Sequence, residues 1–193
     1  MEKTIGLGLG VHKGRGLGHA VTSLSRDHAL VEAARDGDRA AFAQLYDLYS
    51  RMVHGILLAR VPRAVAEDLV QDVFLSALRQ LPQLRDPAAF GGWLAMIARN
   101  RAHDYHRRTI DTDELPENLA GRDSREVEAN NVLDTIRTLP QAYREPLILR
   151  LVEGMTGPEI AVRTGLTPAS VRVNLHRGMK QLREKLGCSL EAS

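Results

Sequence analysis

Two helix starts separated by one forced turn are written into the short stretch Thr156–Pro168, and few folds accommodate them. Thr156-Gly157-Pro158-Glu159 has the form of a capping box with proline in the first turn. Gly165 lies a short helix further on, where a tight turn needs a left-handed residue. Thr167-Pro168 then starts a second helix. Ala161 is small where two such helices must cross closely. Ile160, Leu166, Val171, Leu175, Leu182 and Leu186 recur at the spacing of one buried face. The spacing predicts a helix-turn-helix over residues 156–186. Its second helix presents Ser170, Arg172, Val173, Asn174, His176, Arg177 and Lys180 away from the core or along its flank. Such a helix suits the major groove: arginine pairs bidentately with guanine, and lysine and arginine neutralise phosphates. The bland alternative is an amphipathic hairpin with a solvated basic face, but caps, turn glycine, small crossing residue and arginines all agree on one register.

The rest of the chain is helical in composition. Ala, Leu, Arg and Glu dominate, and alternating runs of Val, Ile and Thr are absent. A helix of about 26–36 has Ser25 as a candidate N-cap and stops at Asp36-Gly37. The next starts after Asp38, carries Phe42, Leu45, Tyr46, Tyr49, Val53, Ile56 and Leu57 at spacings of three and four, and ends at Pro62. A third, about 64–81, has Leu69, Val73, Ala77 and Leu81 on one stripe and ends before Pro82. Asp86-Pro87 starts a fourth, whose buried face is Phe90, Leu94, Ile97 and Ala98 and whose far end, Arg99–Arg108, is basic and polar. Later, Asp123 with Glu126 suggests a capping box for a helix to about Thr138. Leu139-Pro140 breaks that helix, and a further one runs to Glu153-Gly154 with a kink or a later start expected at Pro146.

Charge divides the chain more sharply than its total of +2 does. Residues 1–25 and 26–108 each carry +2, residues 109–130 carry −5 and residues 131–193 carry +3. Two mildly basic modules around a short acidic segment suit a polyanionic partner. The expected organisation is all-α. A flexible glycine-rich tail (1–24) precedes a helical domain (25–108). An acidic linker (109–122) containing Pro116 and Gly121 leads to the helix-turn-helix domain (123–187) and a short tail (188–193). The tail glycines match neither a dinucleotide fingerprint nor a P-loop. Cys188 is the single cysteine, no apolar run has bilayer length and no signal peptide is legible, so a reduced cytoplasm is the default.

The first helical domain decides among the many proteins that share a helix-turn-helix. Ala66-Glu67-Asp68-Leu69-Val70-Gln71-Asp72-Val73-Phe74-Leu75, then Phe90-Gly91-Gly92-Trp93-Leu94-Ala95-Met96-Ile97-Ala98-Arg99-Asn100 with Asp104 and Arg107-Arg108, resembles region 2 of bacterial sigma factors. Leu139-Pro140 with Tyr143-Arg144, Glu159-Ile160-Ala161, and Val171-Arg172 through Leu175-His176-Arg177 resembles their region 4. The order is right, over about residues 27–187, with nothing resembling region 3 between them and no region-1 segment before them. This is the layout of the extracytoplasmic-function (ECF) class of the sigma-70 family.

That resemblance implies a promoter-recognition factor without catalytic residues, metal, cofactor or small-molecule substrate. Its implied partners are core RNA polymerase (the β′ coiled coil and the β flap), promoter DNA and an anti-sigma factor. Asp68, Gln71 and Asp72 would dock on the β′ coiled coil, with Asp72 standing where the family pattern has a longer glutamate. Leu84–Ala89, including Arg85 and Asp86, together with Asn100 would form a pocket for an unstacked base of the minus-10 element. Arg99, Arg101, His103, Arg107 and Arg108 would track the separated strand. Trp93 offers a stacking platform, yet its neighbours Leu94 and Ile97 favour core packing. Ser170, Arg172, Val173, Asn174, His176, Arg177 and Lys180 would read the minus-35 element. The family often has a small polar and a basic residue where Val173 and Asn174 stand, so the bases read stay open.

Two other readings compete. His103 and His106 lie at a spacing that can hold a metal, with Asp104 and Cys188 as possible recruits, but the surrounding basic stretch opposes it. A transcriptional regulator acting without polymerase explains the helix-turn-helix but leaves the Asp68–Asp72 and Phe90–Arg108 patterns without a purpose.

Overall fold

The computed structural model describes residues 27–112 and 124–191 as a set of helices, with no strand among them. Helix α1 spans residues 27–35. It is followed by α2 (Arg39–Leu58), α3 (Arg63–Gln80) and α4 (Phe90–Thr112). The second group is α5 (Ser124–Arg137), α6 (Gln141–Leu151), α7 (Gly157–Thr164) and α8 (Pro168–Glu191). The glycine-rich tail, the Ser25 cap, most of the acidic linker and the Asp123 capping box lie outside the described residues.

The starts of these helices follow local chemistry. Asp38 Oδ1 accepts from the amides of Ala40 and Ala41, at 2.8 and 3.1 Å, which satisfies orphan donors of α2. Asp86 Oδ1 accepts from Ala88 N at 2.9 Å, but the turn it caps is a 3-10 turn, Pro87–Ala89, that runs into α4. Pro62 does not end α2. That helix stops at Leu58, and Pro62 takes the N-cap position of α3, where its missing N–H costs nothing. Helix α3 ends at Gln80, before Pro82 as expected, and Pro82 itself lies in a 3-10 turn, Leu81–Gln83, that follows directly. Helix α6 starts at Gln141 directly after Pro140, so Pro146 delays nothing and is buried within the helix. Helix α4 continues to Thr112, a turn past the basic run.

In the first unit, α2, α3 and α4 bury Leu45, Met52, Ile56, Val73, Ala77, Phe90 and Leu94 against one another. Trp93 is half-buried, with its ring 5.8 Å from that of Phe90, so it packs on the core. In the second unit, α8 crosses α6 closely at the buried Gly178, where a Cβ would meet Tyr143 Cβ and Leu147 Cδ1 at 3.0 Å. The helix-turn-helix forms as its sequence requires. Thr156 and Glu159 make a reciprocal capping box, and Gly165 closes α7 at φ +73°. Thr167 Oγ1 accepts from Ser170 N at 3.1 Å to open α8.

The units do not stand apart. Helix α6 lies on α2, and α7 lies on both α2 and α4, so that one set of buried apolar side chains runs through both groups. Tyr49 is fixed at this junction. Its hydroxyl donates to the buried carboxylate of Asp27 at 2.8 Å, and Arg163 of α7 lies over its ring at 4.9 Å from the centroid. Burial first, and then the Asp27 bond, push the Tyr49 phenol above its ordinary range and keep it protonated.

The capping box carries a pH signature. The Thr156 backbone and side-chain hydrogen bonds hold the Glu159 carboxyl below its ordinary value of 4.5. A lowered folded-state value means stability that is present in full above 4.5 and is lost as pH falls through that lower value. Thr156→Ala should therefore cost about 1 kcal/mol at neutral pH. The gap from wild type should narrow in acid, as read from urea melts across pH; a gap independent of pH would rule the box out as its source.

Candidate polymerase-docking and nucleic-acid surfaces

Helix α3 divides cleanly in two. Ala66, Val70, Val73, Phe74 and Ala77 face the core, while Asp68, Gln71 and Asp72 are all exposed on the opposite face. At about 100° per residue the exposed face continues through Leu75 and Leu78, which are 52% and 45% exposed. Leu75 entered the sequence reading only as part of a motif, without a role, and Leu78 not at all. The signal was present in a helix with more apolar residues than one buried stripe can hold. Carboxylates and an amide beside bare leucines make a surface that steers a basic partner and then offers it apolar area to cover.

Helix α4 presents a second strip. Met96, Asn100, His103 and Arg107 follow one another along its exposed side, with Met96 57% exposed. Arg107 pairs with Asp104 at 3.2 Å on the solvated surface. The other residues expected to track a strand do not all join this row. By helical position Arg101, half-buried, and Arg108, exposed, lie to one flank and Arg99 to the other. The Arg99 guanidinium is engaged by Glu145 of α6. Arg85 and Asp86 are exposed in the loop before α4, where the Asp86 carboxylate serves the 3-10 turn. His106 Nε2 is 2.7 Å from the Arg60 carbonyl oxygen, so His103 and His106 have different surroundings. No cluster of metal-ligating side chains occurs among the described residues.

The third surface is the exposed face of α8. Ser170, Arg172, Val173, His176, Arg177 and Lys180 are exposed and Asn174 half-exposed, while Val171 and Leu182 hold the opposite side in the core. The Ser170 hydroxyl accepts from Thr167 Oγ1 at 2.8 Å and so belongs partly to the cap. Lys180 reaches Glu184 only at 3.9 Å, between exposed side chains, a pair worth little in water.

What sequence reasoning missed altogether is the set of ionic contacts between the two units. Glu145, 5% exposed, accepts from Arg60 Nη2 at 2.9 Å and from Arg99 at 2.6 Å (Nη2) and 3.1 Å (Nε). Glu153, also buried, pairs with His54 Nδ1 at 2.7 Å, and its carbonyl oxygen accepts from Arg51. Arg137 donates to the Leu58 and Val61 carbonyls at 3.2 and 2.7 Å, satisfying acceptors at the end of α2. An acid immediately before the apolar run Pro146–Leu149 was the available sign that Glu145 is buried and paired.

Comparison with known proteins places this arrangement. Sigma-70 region 2 matches residues 45–110, and Sigma-70, region 4 matches residues 129–182. The chain is 36% identical over 167 residues to RNA polymerase sigma factor CarQ of Myxococcus xanthus, spanning 81% of this chain and 95% of CarQ. It is 31% identical over 179 residues to the ECF RNA polymerase sigma-E factor of Haemophilus influenzae, spanning 83% of this chain and 95% of that protein. Among solved structures it is similar to CnrH in complex with the cytosolic domain of CnrY. That likeness has a TM-score of 0.62 at 27% identity and covers 84% of this chain and 98% of the other. The sigma factor RpoE of Bartonella quintana, solved with the anti-sigma factor NepR, shares the fold with a TM-score of 0.55 at 21% identity, over 76% of this chain and 96% of that one. Helix-turn-helix, preceding helical unit and full-length relatives agree: the chain belongs to the ECF class of the sigma-70 family, non-catalytic factors that bind core RNA polymerase and direct transcription initiation.

Proposed function

We propose that the three surfaces divide the work of initiation. The exposed face of α3, with Asp68, Gln71 and Asp72 flanked by Leu75 and Leu78, docks on the β′ coiled coil of core polymerase. The β flap contacts the second unit. The loop Leu84–Ala89 with Arg85 and Asp86, and Asn100 on α4, receive an unstacked base of the minus-10 element. Met96 beside Asn100 adds an apolar contact for it, and His103, Arg107, Arg108, Arg101 and Arg99 supply the cationic surround. The α8 face, through Arg172, Val173, Asn174, His176, Arg177, Lys180 and Ser170, reads the minus-35 element as duplex. The domains that do this are residues 25–108 and 123–187, joined by the acidic segment 109–122.

The carrying observation is that the α3 face and the α8 face are both exposed in the same molecule and differ in chemistry. The first is acidic with bare leucines, the second basic and polar. A regulator that only binds duplex DNA has no use for the first. The complexes that CnrH and RpoE form with CnrY and NepR support an anti-sigma partner here as well. No helix among the described residues is long and apolar enough to cross a membrane, which fits work in the cytoplasm. Added to core polymerase and a promoter template, the protein should confer promoter-specific initiation. Duplex binding with neither polymerase binding nor initiation would return the reading to a plain regulator.

The surfaces separate by mutation. Arg172→Ala should weaken upstream-element recognition about tenfold or more while polymerase binding persists. Asp72→Lys should do the reverse. Leu75→Ser, at an exposed position, should move stability by less than about 0.5 kcal/mol yet lower polymerase affinity; no change in that affinity would remove α3's apolar contribution. Lys180→Ala should reduce the slope of log affinity against log salt by about one.

A further inference from the structure

We infer that Val173 reads a base by packing on the C5 methyl group of a thymine in the major groove, so that the upstream element of this chain contains a thymine chosen by apolar contact. The inference deepens the proposed reading of α8 and rests on it. Val171, Gly178 and Leu182 mark the buried line of that helix. At about 100° per residue, Ala169 and Val173 each stand about 160° from this line, one on either side of the outermost point. Both are exposed, Val173 at 41%. They lie one turn apart in the first two turns of α8, the part of a recognition helix that meets base edges.

The outermost side chains of such a helix come nearest the floor of the groove, and a valine there neither donates nor accepts a hydrogen bond. Among the groups that the four base pairs present in the major groove, the thymine methyl is the apolar one. Against any other base edge the Val173 isopropyl would displace water from a donor or acceptor and offer nothing in its place. The position therefore discriminates twice, by contact with a methyl and by penalty against the rest.

The neighbours supply the polar contacts that Val173 lacks. By helical position Arg172 and His176 flank it on one side, Asn174 and Arg177 on the other. Among the described residues, none of these four has an intramolecular hydrogen bond or ion pair, whereas Ser170 is engaged with Thr167 in the cap. Their donors are left for base edges and phosphates. A protein partner suits Val173 less well, because it joins no larger apolar patch. Exposed Leu151, with half-buried Leu175 and Met179, lines a groove between α6 and α8 that does not include it. One valine ringed by polar side chains is small for a protein interface and well matched to one methyl group.

The test uses holoenzyme assembled from core polymerase and the full-length chain. Duplexes that the wild type selects from a random pool define the upstream element. Each thymine in it is then replaced singly by deoxyuridine, which removes the methyl and keeps the pairing. For the wild type, one of these replacements should weaken binding about fourfold, the effect of withdrawing one methyl from apolar contact. For Val173→Ser, a change at an exposed position that leaves the fold intact, the same replacement should cost less than about 1.5-fold, because the two groups are coupled. An upstream element with no uracil-sensitive thymine, or a sensitivity that Val173→Ser retains, overturns the methyl contact. Arg172→Ala separates the two levels of the argument. If it weakens binding to the selected duplexes, the reading of α8 survives the loss of the methyl contact; if it binds them as wild type does, that reading falls as well.

Discussion

Glu145 is a carboxylate taken out of water and held between Arg60 and Arg99, and the relation of the two helical units turns on it. Withdrawing such a charge costs several kcal/mol, which is recovered only with well-placed counter-charges and hydrogen bonds. Both cations come from the first unit and the carboxylate from the second, so neither unit satisfies the group alone. The same holds for Glu153 with His54, and for Arg137 on the carbonyls that close α2. Polar groups of this kind add little net stability but penalise other arrangements, because moving either unit leaves charges buried and unpaired. They fix how α6 and α7 sit, where apolar packing alone would tolerate sliding.

This junction lends meaning to the surfaces around it. The α3 face and the α8 face are turned outward and owe nothing to it. The α4 strip is different: Met96, Asn100 and His103 are exposed and Arg107 pairs with Asp104 of its own helix, whereas Arg99 at its flank is committed to Glu145 of the second unit. A row that looks continuous along the sequence is therefore split by the helix into an open strip, a flank engaged by the second unit and another flank carrying Arg101 and Arg108. Position around the helix, rather than closeness in sequence, decides which cations act together.

The elements legible in advance share one property: their causes lie within a few residues. Asp38, Asp86, Thr156, Thr167 and Gly165 act on backbone groups close by, and each does what its residue type suggests. The prolines were harder. Pro62 and Pro82 look alike as breakers, yet one starts a helix and the other sits in a 3-10 turn, because only the path of the following chain determines which missing N–H is harmless. Leu75, Leu78 and Met96 were invisible as surface residues because hydrophobicity reports a preference for burial, and a helix with surplus apolar residues does not say which are left outside.

The sequence by itself determined the helices, the helix-turn-helix and the family likeness, since capping, periodicity and motif spacing are local and repeat in register along the chain. Only the tertiary structure decided that Gly55 and Gly91 are contact points, that Arg99 is held and that Glu145 holds it. Those facts depend on pairs at least 46 residues apart. No local preference encodes such a pair; it exists only once two separately formed surfaces have excluded water between them.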